Sequence, residues 1–287
     1  MKKKVTRRQQ KKKVVENLVG VIPAAGHGLR IGPIPCSKEL FPVGFRSMAG
    51  AQELRAKTVS HYLLEKYREA GATQTYIVLR NGKWDIPAYY GDGEMLGMDL
   101  AYLVVERTDG PPDTLDRAYP FLKKKVVLFG FPDIIFGPND AFVHLLQRHR
   151  MTDAEVTLGL YPAHDCRVMD MVDVDSKGRV RGMQLKPNRT SLTMTWLCAI
   201  WSPNFTEFMH EYMGSGKQRL SRKVRSGRAI DAQGDVPVGA VVQAAIRRGF
   251  RVEGVRFPSE RYIDIGTPEN LVKAVQQAVR LTRLRGQ

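Results

Sequence analysis

The sequence predicts an α/β fold, a mainly parallel sheet with helices on both faces. Three observations carry that reading. Short apolar runs alternate with helix-length segments from Leu18 onward, the pattern of βαβ units. The first run, Leu18 to Ile22, breaks at Pro23 into a loop holding Gly26 and Gly28, and glycines let backbone N–H groups approach a phosphate. A later run, Lys125 to Phe131, is apolar after its lysine and leads into Pro132-Asp133, as expected of a strand covered on both faces.

The elements follow in order. Ala51 to Ala70 reads as a helix, because Leu54, Thr58, His61, Leu64 and Tyr67 form a stripe at helical spacing and Gly71 ends it. Thr75 to Leu79 is a strand, Trp84 to Tyr90 a short helix closed by Gly91-Asp92-Gly93, and Leu100 to Val105 a strand. Thr108 to Thr114 reads as a loop and Leu115 to Leu122 as a helix. Ala141 to Arg150 is a helix and Ala154 to Leu160 a strand. Met169 to Val174 and Arg179 to Gln184 form a hairpin around a glycine turn. Ser191 to Ile200 is a strand and Asn204 to Tyr212 a helix. Gly214 to Gly234, rich in Gly, Ser, Arg and Lys, is expected to be a long loop. Val236 to Arg248 is a helix and Arg251 to Phe257 a strand. A final helix opens at Thr267-Pro268-Glu269, where Thr caps and Pro fits the first turn.

The glycine loop does not fit the commoner phosphate loops. The third glycine, Gly32, falls one residue late for G-x-G-x-x-G, and no G-x-x-x-x-G-K-[ST] occurs. Arg30 and Lys38 follow the loop, a fork-shaped cation and a point-charge cation beside a candidate anion site. Asp133 closes a strand, and in open α/β sheets the ligand crevice lies at the carboxyl ends of strands.

Gly26, Gly28 and Arg30, followed by Lys38, Leu40, Pro42 and Val43, resemble the signature of the nucleotidylyltransferases that activate sugar 1-phosphates, G-x-G-[TS]-R then P-K-x-L-x-P-V. Tyr262 to Leu271 (YIDIGTPENL) resembles the same family's [WY]-x-D-[IV]-G-T-P-E-[DN]-[LY]. The departures are Leu29 for a hydroxyl residue, Ser37 for the frequent Pro, Leu185 for the Glu before Lys186-Pro187, and Met169-Asp170 for an aromatic-Gly pair. The last two put the usual hexose in doubt, since a lost carboxylate is a lost hydrogen bond to a hydroxyl.

The resemblance runs from about Leu18 to Arg283. It implies a Rossmann-like three-layer αβα sandwich with a mainly parallel mixed sheet, of the nucleotide-diphospho-sugar transferase type. It implies an enzyme that moves a nucleoside monophosphate from a triphosphate to a sugar 1-phosphate or similar acceptor. By the same resemblance Arg30 and Lys38 are the catalytic pair. The nucleotide meets Ala24, Ala25, Gly26, Gly28, Arg30, Lys38, Glu106 and Gly110. Lys186 meets the acceptor phosphate, and Asp133 and Asp264 hold Mg²⁺. Relatives that take thymine or uracil often carry Gln and Gly near the third strand; Glu106 and Gly110 stand here, and the base stays open. A non-catalytic binding protein on the same fold is the alternative, opposed by the survival of both carboxylates and both lysines.

Composition bounds the rest. At 287 residues, residues 16–287 are expected to form one nucleotidyltransferase domain behind a basic, disordered tail at 1–15. Net charge is +16, and eight basic residues with no acid precede Glu16. A solvated arm is the expected reading; nucleic acid is not an expected partner, because no recognition motif accompanies the arm. Three scattered cysteines with no CxxC suggest neither a disulfide framework nor a zinc site and fit a reducing, cytoplasmic setting. Glu16, Asn17 and Pro23 interrupt the apolar start, against a signal peptide, and the uncharged run Thr190 to Thr206 is too polar to span a membrane. A homo-oligomer is compatible with the sequence.

Overall fold

The computed structural model describes residues 17–28, 30–47, 54–220, 236–259 and 261–285. The expected tail and residues 221–234 of the expected long loop lie outside this set. The elements are β1 (Leu18–Ala24), β2 (Pro42–Ser47), β3 (Leu54–Thr58), α1 (Val59–Glu69), β4 (Gln74–Arg80), α2 (Asp85–Tyr90), β5 (Asp99–Val105), α3 (Pro111–Asp116), α4 (Tyr119–Leu122), β6 (Val126–Gly130) and β7 (Ile134–Phe136). There follow α5 (Ala141–Thr152), β8 (Val156–Pro162), β9 (Met171–Val174), β10 (Val180–Gln184), β11 (Met194–Trp201), α6 (Pro203–Leu220), α7 (Val238–Arg247), β12 (Val252–Arg256), β13 (Tyr262–Asp264) and α8 (Pro268–Arg285).

β1 lies between β4 and β6, parallel to both, and β5 extends the parallel set beyond β4. β11 runs antiparallel between β6 and β8, and β12 is parallel to β8. The β9–β10 hairpin joins through Met171 opposite Thr195, completing a nine-stranded sheet. Strand alternation divides the apolar side chains between two cores. Leu18, Ile22 and Leu128 pack with Leu63, Tyr67 and Phe142 under α1 and α5. Val19, Val21, Val127 and Phe129 pack with Leu115, Phe205, Met209 and Val241 under α3, α6 and α7. The three layers follow from this period of two. Gly20 has no room for a side chain, since a methyl there would fall 2.4 Å from Thr75 Oγ1 and 2.5 Å from the Tyr67 ring.

Several elements differ from expectation. β1 does not break at Pro23; it runs to Ala24, paired with β4 through Leu79. Pairing to β6 stops at Val21, so Pro23 has a strand neighbour on one side, where proline is tolerated. The expected helix from Ala51 begins only at Val59, because Leu54–Thr58 pairs with β2 as a hairpin. The expected loop 108–114 already contains the first turn of α3, with Pro at its N-terminus. α6 continues to Leu220, through the start of the expected long loop. β7 and β13 pair with each other outside the main sheet, and neither was expected as a ladder.

Lys66 is buried on α1, where its Nζ donates to Pro138 O (2.9 Å) and Asn139 Oδ1 (3.2 Å). Burial pushes its pKa from 10.5 down to about 8. Between those values the unfolded chain holds more protons than the native one, so this group's contribution to stability rises with pH and is lost as pH falls through the window. Urea unfolding should therefore show wild type gaining on Lys66→Met, by up to about 3 kcal/mol, between pH 7.5 and 10. A constant difference would mean that Lys66 carries no such shift.

Candidate active site

A cleft of about 840 Å³ opens where β1, β4, β5 and β6 end. The loop after β1 forms one wall. Gly28 sits at φ +66°, a left-handed conformation that favours glycine. Its missing side chain points toward the Lys38 stem, with Cδ at 3.9 Å. Among the described residues, its chain neighbours aside, a methyl on Gly26 would meet no atom within 4 Å, which leaves its backbone open to a ligand.

Lys38 stands on a single 3₁₀ turn, Lys38–Leu40, and its Nζ donates to Asp133 Oδ2 at 2.5 Å. Asp133 follows β6 and precedes β7, and Asp264 ends β13. The β7–β13 pair, with Ile265 N–H donating to Asp133 O at 3.0 Å, brings the two carboxylates together. Asp264 Oδ1 accepts the Gly266 N–H at 2.7 Å. Arg30 lies beside them, with Nη2 3.1 Å from where a methyl on Gly266 would sit.

Charge and burial compete at each group. Burial alone would push the Lys38 ammonium down, but the carboxylates of Asp133 and Glu39 reverse this and hold it above its ordinary value. Burial would push Asp133 up, yet the charge and hydrogen bond of Lys38 hold it below the usual carboxylate range. Asp264 is pushed up, first by burial and then by the charge of Asp133. Two like charges so arranged, Asp133 buried and Asp264 half-buried, favour a cation between them.

Among the described residues no three or more His, Cys, Asp or Glu side chains converge as a self-sufficient metal cage. Mg²⁺ needs none, since it is commonly bound by one or two carboxylates and completed by waters and substrate phosphates. The Asp133–Asp264 pair, with its mutual repulsion, fits that role.

The sequence profile of the nucleotidyl transferases matches residues 19–280. This chain belongs to that family. It is 24% identical over 233 residues to a glucose-1-phosphate thymidylyltransferase of Streptomyces antibioticus, covering 80% of this chain and 60% of that one. It is 24% identical over 264 residues to a mannose-1-phosphate guanylyltransferase of Mycobacterium tuberculosis, covering 91% and 64%. The chain thus spans less than two thirds of the length of either relative. An apo UDP-glucose pyrophosphorylase superposes with a TM-score of 0.72 at 14% identity, covering 92% of this chain and 98% of that one. A UTP-bound UGPase from Acinetobacter baumannii gives 0.70 at 14%, covering 94% and 98%. These likenesses bear out the α/β fold with its mainly parallel mixed sheet.

In this member of the family the cleft gathers Ala25, Gly26, Gly28, Arg30, Lys38, Glu106, Gly110, Asp133, Lys186 and Asp264. Ala24 does not join them; it is a core residue of β1, 1% exposed. Lys186 follows β10 in a left-handed conformation, φ +41°. Two of the departures, Asp170 and Leu185, share a packing partner. Asp170 Oδ2 and Leu185 Cδ2 lie 2.2 and 3.0 Å from where a methyl on Gly239 would sit, in the first turn of α7. Leu185 does not line the cleft, whereas Met169, Asp170, Phe131 and Trp196 do.

Sequence reading missed Arg80. Its Nη1 lies 2.5 Å from His27 Nδ1, and both line the cleft. A guanidinium only donates, so Nδ1 is the acceptor in this contact. Glu106 Oε1 accepts from Asn81 Nδ2 at 2.9 Å, which fixes the carboxylate at the end of β5. The signal for Arg80 was its place at the end of an apolar strand beside the glycine loop.

Proposed function

We propose that this protein transfers a nucleoside monophosphate from a triphosphate to a sugar 1-phosphate or a related phosphate acceptor, with Mg²⁺ and release of pyrophosphate. The observation that carries this reading is the convergence of Lys38, Asp133, Asp264 and Arg30 on the glycine loop in one cleft. An acceptor phosphate oxygen forms a bond to the α-phosphorus, and the bond from that phosphorus to the β-phosphate oxygen breaks. The attacking group is already an anion, so no protein nucleophile is needed. The protein's work is alignment and compensation of charge. Gly26 and Gly28 offer backbone N–H groups, and Arg30 a planar fork, to the β- and γ-phosphates. Lys38 meets the α-phosphate as charge builds there, and Lys186 neutralises the acceptor phosphate. Asp133 and Asp264 would hold Mg²⁺, which when bound supplies charge neutralisation on the phosphates. No helix among the described residues is long and apolar enough to cross a membrane.

The test is pyrophosphate release with Mg²⁺, for each of four nucleoside triphosphates against a panel of sugar phosphates and other small phosphate or phosphonate acceptors. Acceptor-dependent release with one preferred base supports the reading. Triphosphate binding without release for any pair would shift the weight to a binding protein on this fold.

A further inference from the structure

The turn that carries Lys38 is fastened on both sides of that residue. One position earlier, the Ser37 N–H donates to Asp85 Oδ2 at 2.6 Å and Ser37 Oγ donates to Asp85 Oδ1 at 2.7 Å. One position later, Lys83 Nζ donates to both Glu39 oxygens at 2.9 Å. Glu39 and Lys83 are 2% and 7% exposed, so this second bond is dry. Both anchors come from one short stretch, Lys83 to Asp85, where the chain enters α2. Leu40 N–H to Ser37 O (2.8 Å) and Phe41 N–H to Lys38 O (3.1 Å) close the turn itself. A long lysine stem is otherwise among the most mobile of side chains.

We propose that Asp85 is a positioning residue for Lys38, acting through Ser37, and that the Ser37–Asp85 double hydrogen bond does here what a proline would do by ring closure. Ser37 sits at φ −57°, inside the window to which a proline ring confines the backbone. A serine at that position is free to leave the window unless something holds it, and the Asp85 carboxylate takes both of its donors. Asp85 touches no substrate in this scheme. It fixes the backbone from which Lys38 reaches Asp133. The inference rests on the proposed role of Lys38 for its catalytic half and on geometry alone for its structural half.

The two halves are read separately. Hydrogen exchange of the segment 36–42 tests the clamp without any turnover. Asp85→Ala should speed exchange there about tenfold, the loss expected for hydrogen bonds to a charged group, and leave β1 and β4 unchanged. In kinetics, Asp85→Ala should lower kcat about tenfold or more with KM for both substrates nearly unchanged, since misalignment acts on the reacting geometry. Asp85→Asn, which keeps one acceptor oxygen, should recover part of the loss. Ser37→Pro should restore the ordering, so adding Asp85→Ala to it should have little further effect on exchange or kcat. Should Ser37→Pro fail to fold, Ser37→Ala removes the hydroxyl bond alone and should shrink the effect of Asp85→Ala in the same cycle. Unchanged exchange in Asp85→Ala, or an equal effect of it in all Ser37 backgrounds, would overturn the proposal. Wild type that never turns over, with the exchange results as expected, would leave the clamp standing and remove the proposed function.

Discussion

Replacing Lys38 by alanine is expected to lower kcat for pyrophosphate release by about 10²–10³, the usual loss when one preorganised donor to a developing charge is removed. KM should change much less, because the triphosphate keeps the glycine loop and Arg30. Lys38→Arg should not rescue the rate, since a planar fork cannot take the place of a point charge held 2.5 Å from Asp133 Oδ2. Lys38→Ala has a second effect. Asp133 is 8% exposed and loses the cation that holds its carboxyl low. Burial and the neighbouring Asp264 then push it up, and the thermal midpoint should fall. A kcat within about tenfold of wild type would remove Lys38 from the transition state.

Asp264→Asn should move stability and activity in opposite directions. Burial and the charge of Asp133 both disfavour the Asp264 anion. Asparagine removes that repulsion and keeps an oxygen to accept the Gly266 N–H. Without metal the variant should melt higher, by about 2 °C for each kcal/mol relieved in a chain of this size. With Mg²⁺ and triphosphate the order should reverse, because wild type gains from the bound cation and the variant does not. Turnover should fall by about 10² or more. Equal melting of the two proteins under both conditions would separate Asp264 from the metal.

The blocks that point to function were legible because they are dense. Gly26, Gly28, Arg30, Lys38 and Tyr262–Leu271 sit in short stretches whose residue types are rare in combination, and each falls at the cleft. The parallel strands were legible because burial on both faces makes them apolar throughout, as in Val126–Gly130. What the sequence hid has physical causes. Leu54 and Thr58 continue the α1 stripe backward by accident, since the spacing of four that suits a helix also suits one face of a strand. β7 and β13 have three residues each, too few to establish a period. The His27–Arg80 contact joins side chains far apart in the chain and leaves no local mark. Pro111-Pro112 looked like a loop, although the first turn of a helix tolerates proline.

The two-stranded pair β7–β13 also sets a timetable. The parallel core of β1, β4, β5 and β6 is complete by Gly130, so a growing chain has that half of the sheet in hand early. Asp264 arrives in β13, the last strand among the described residues. A nascent or clipped chain ending before Tyr262 would thus carry the glycine loop, Lys38 and Asp133 but lack the second carboxylate. Under the proposed function such a fragment would bind a triphosphate and turn it over poorly, so competence waits for β13 to pair with β7.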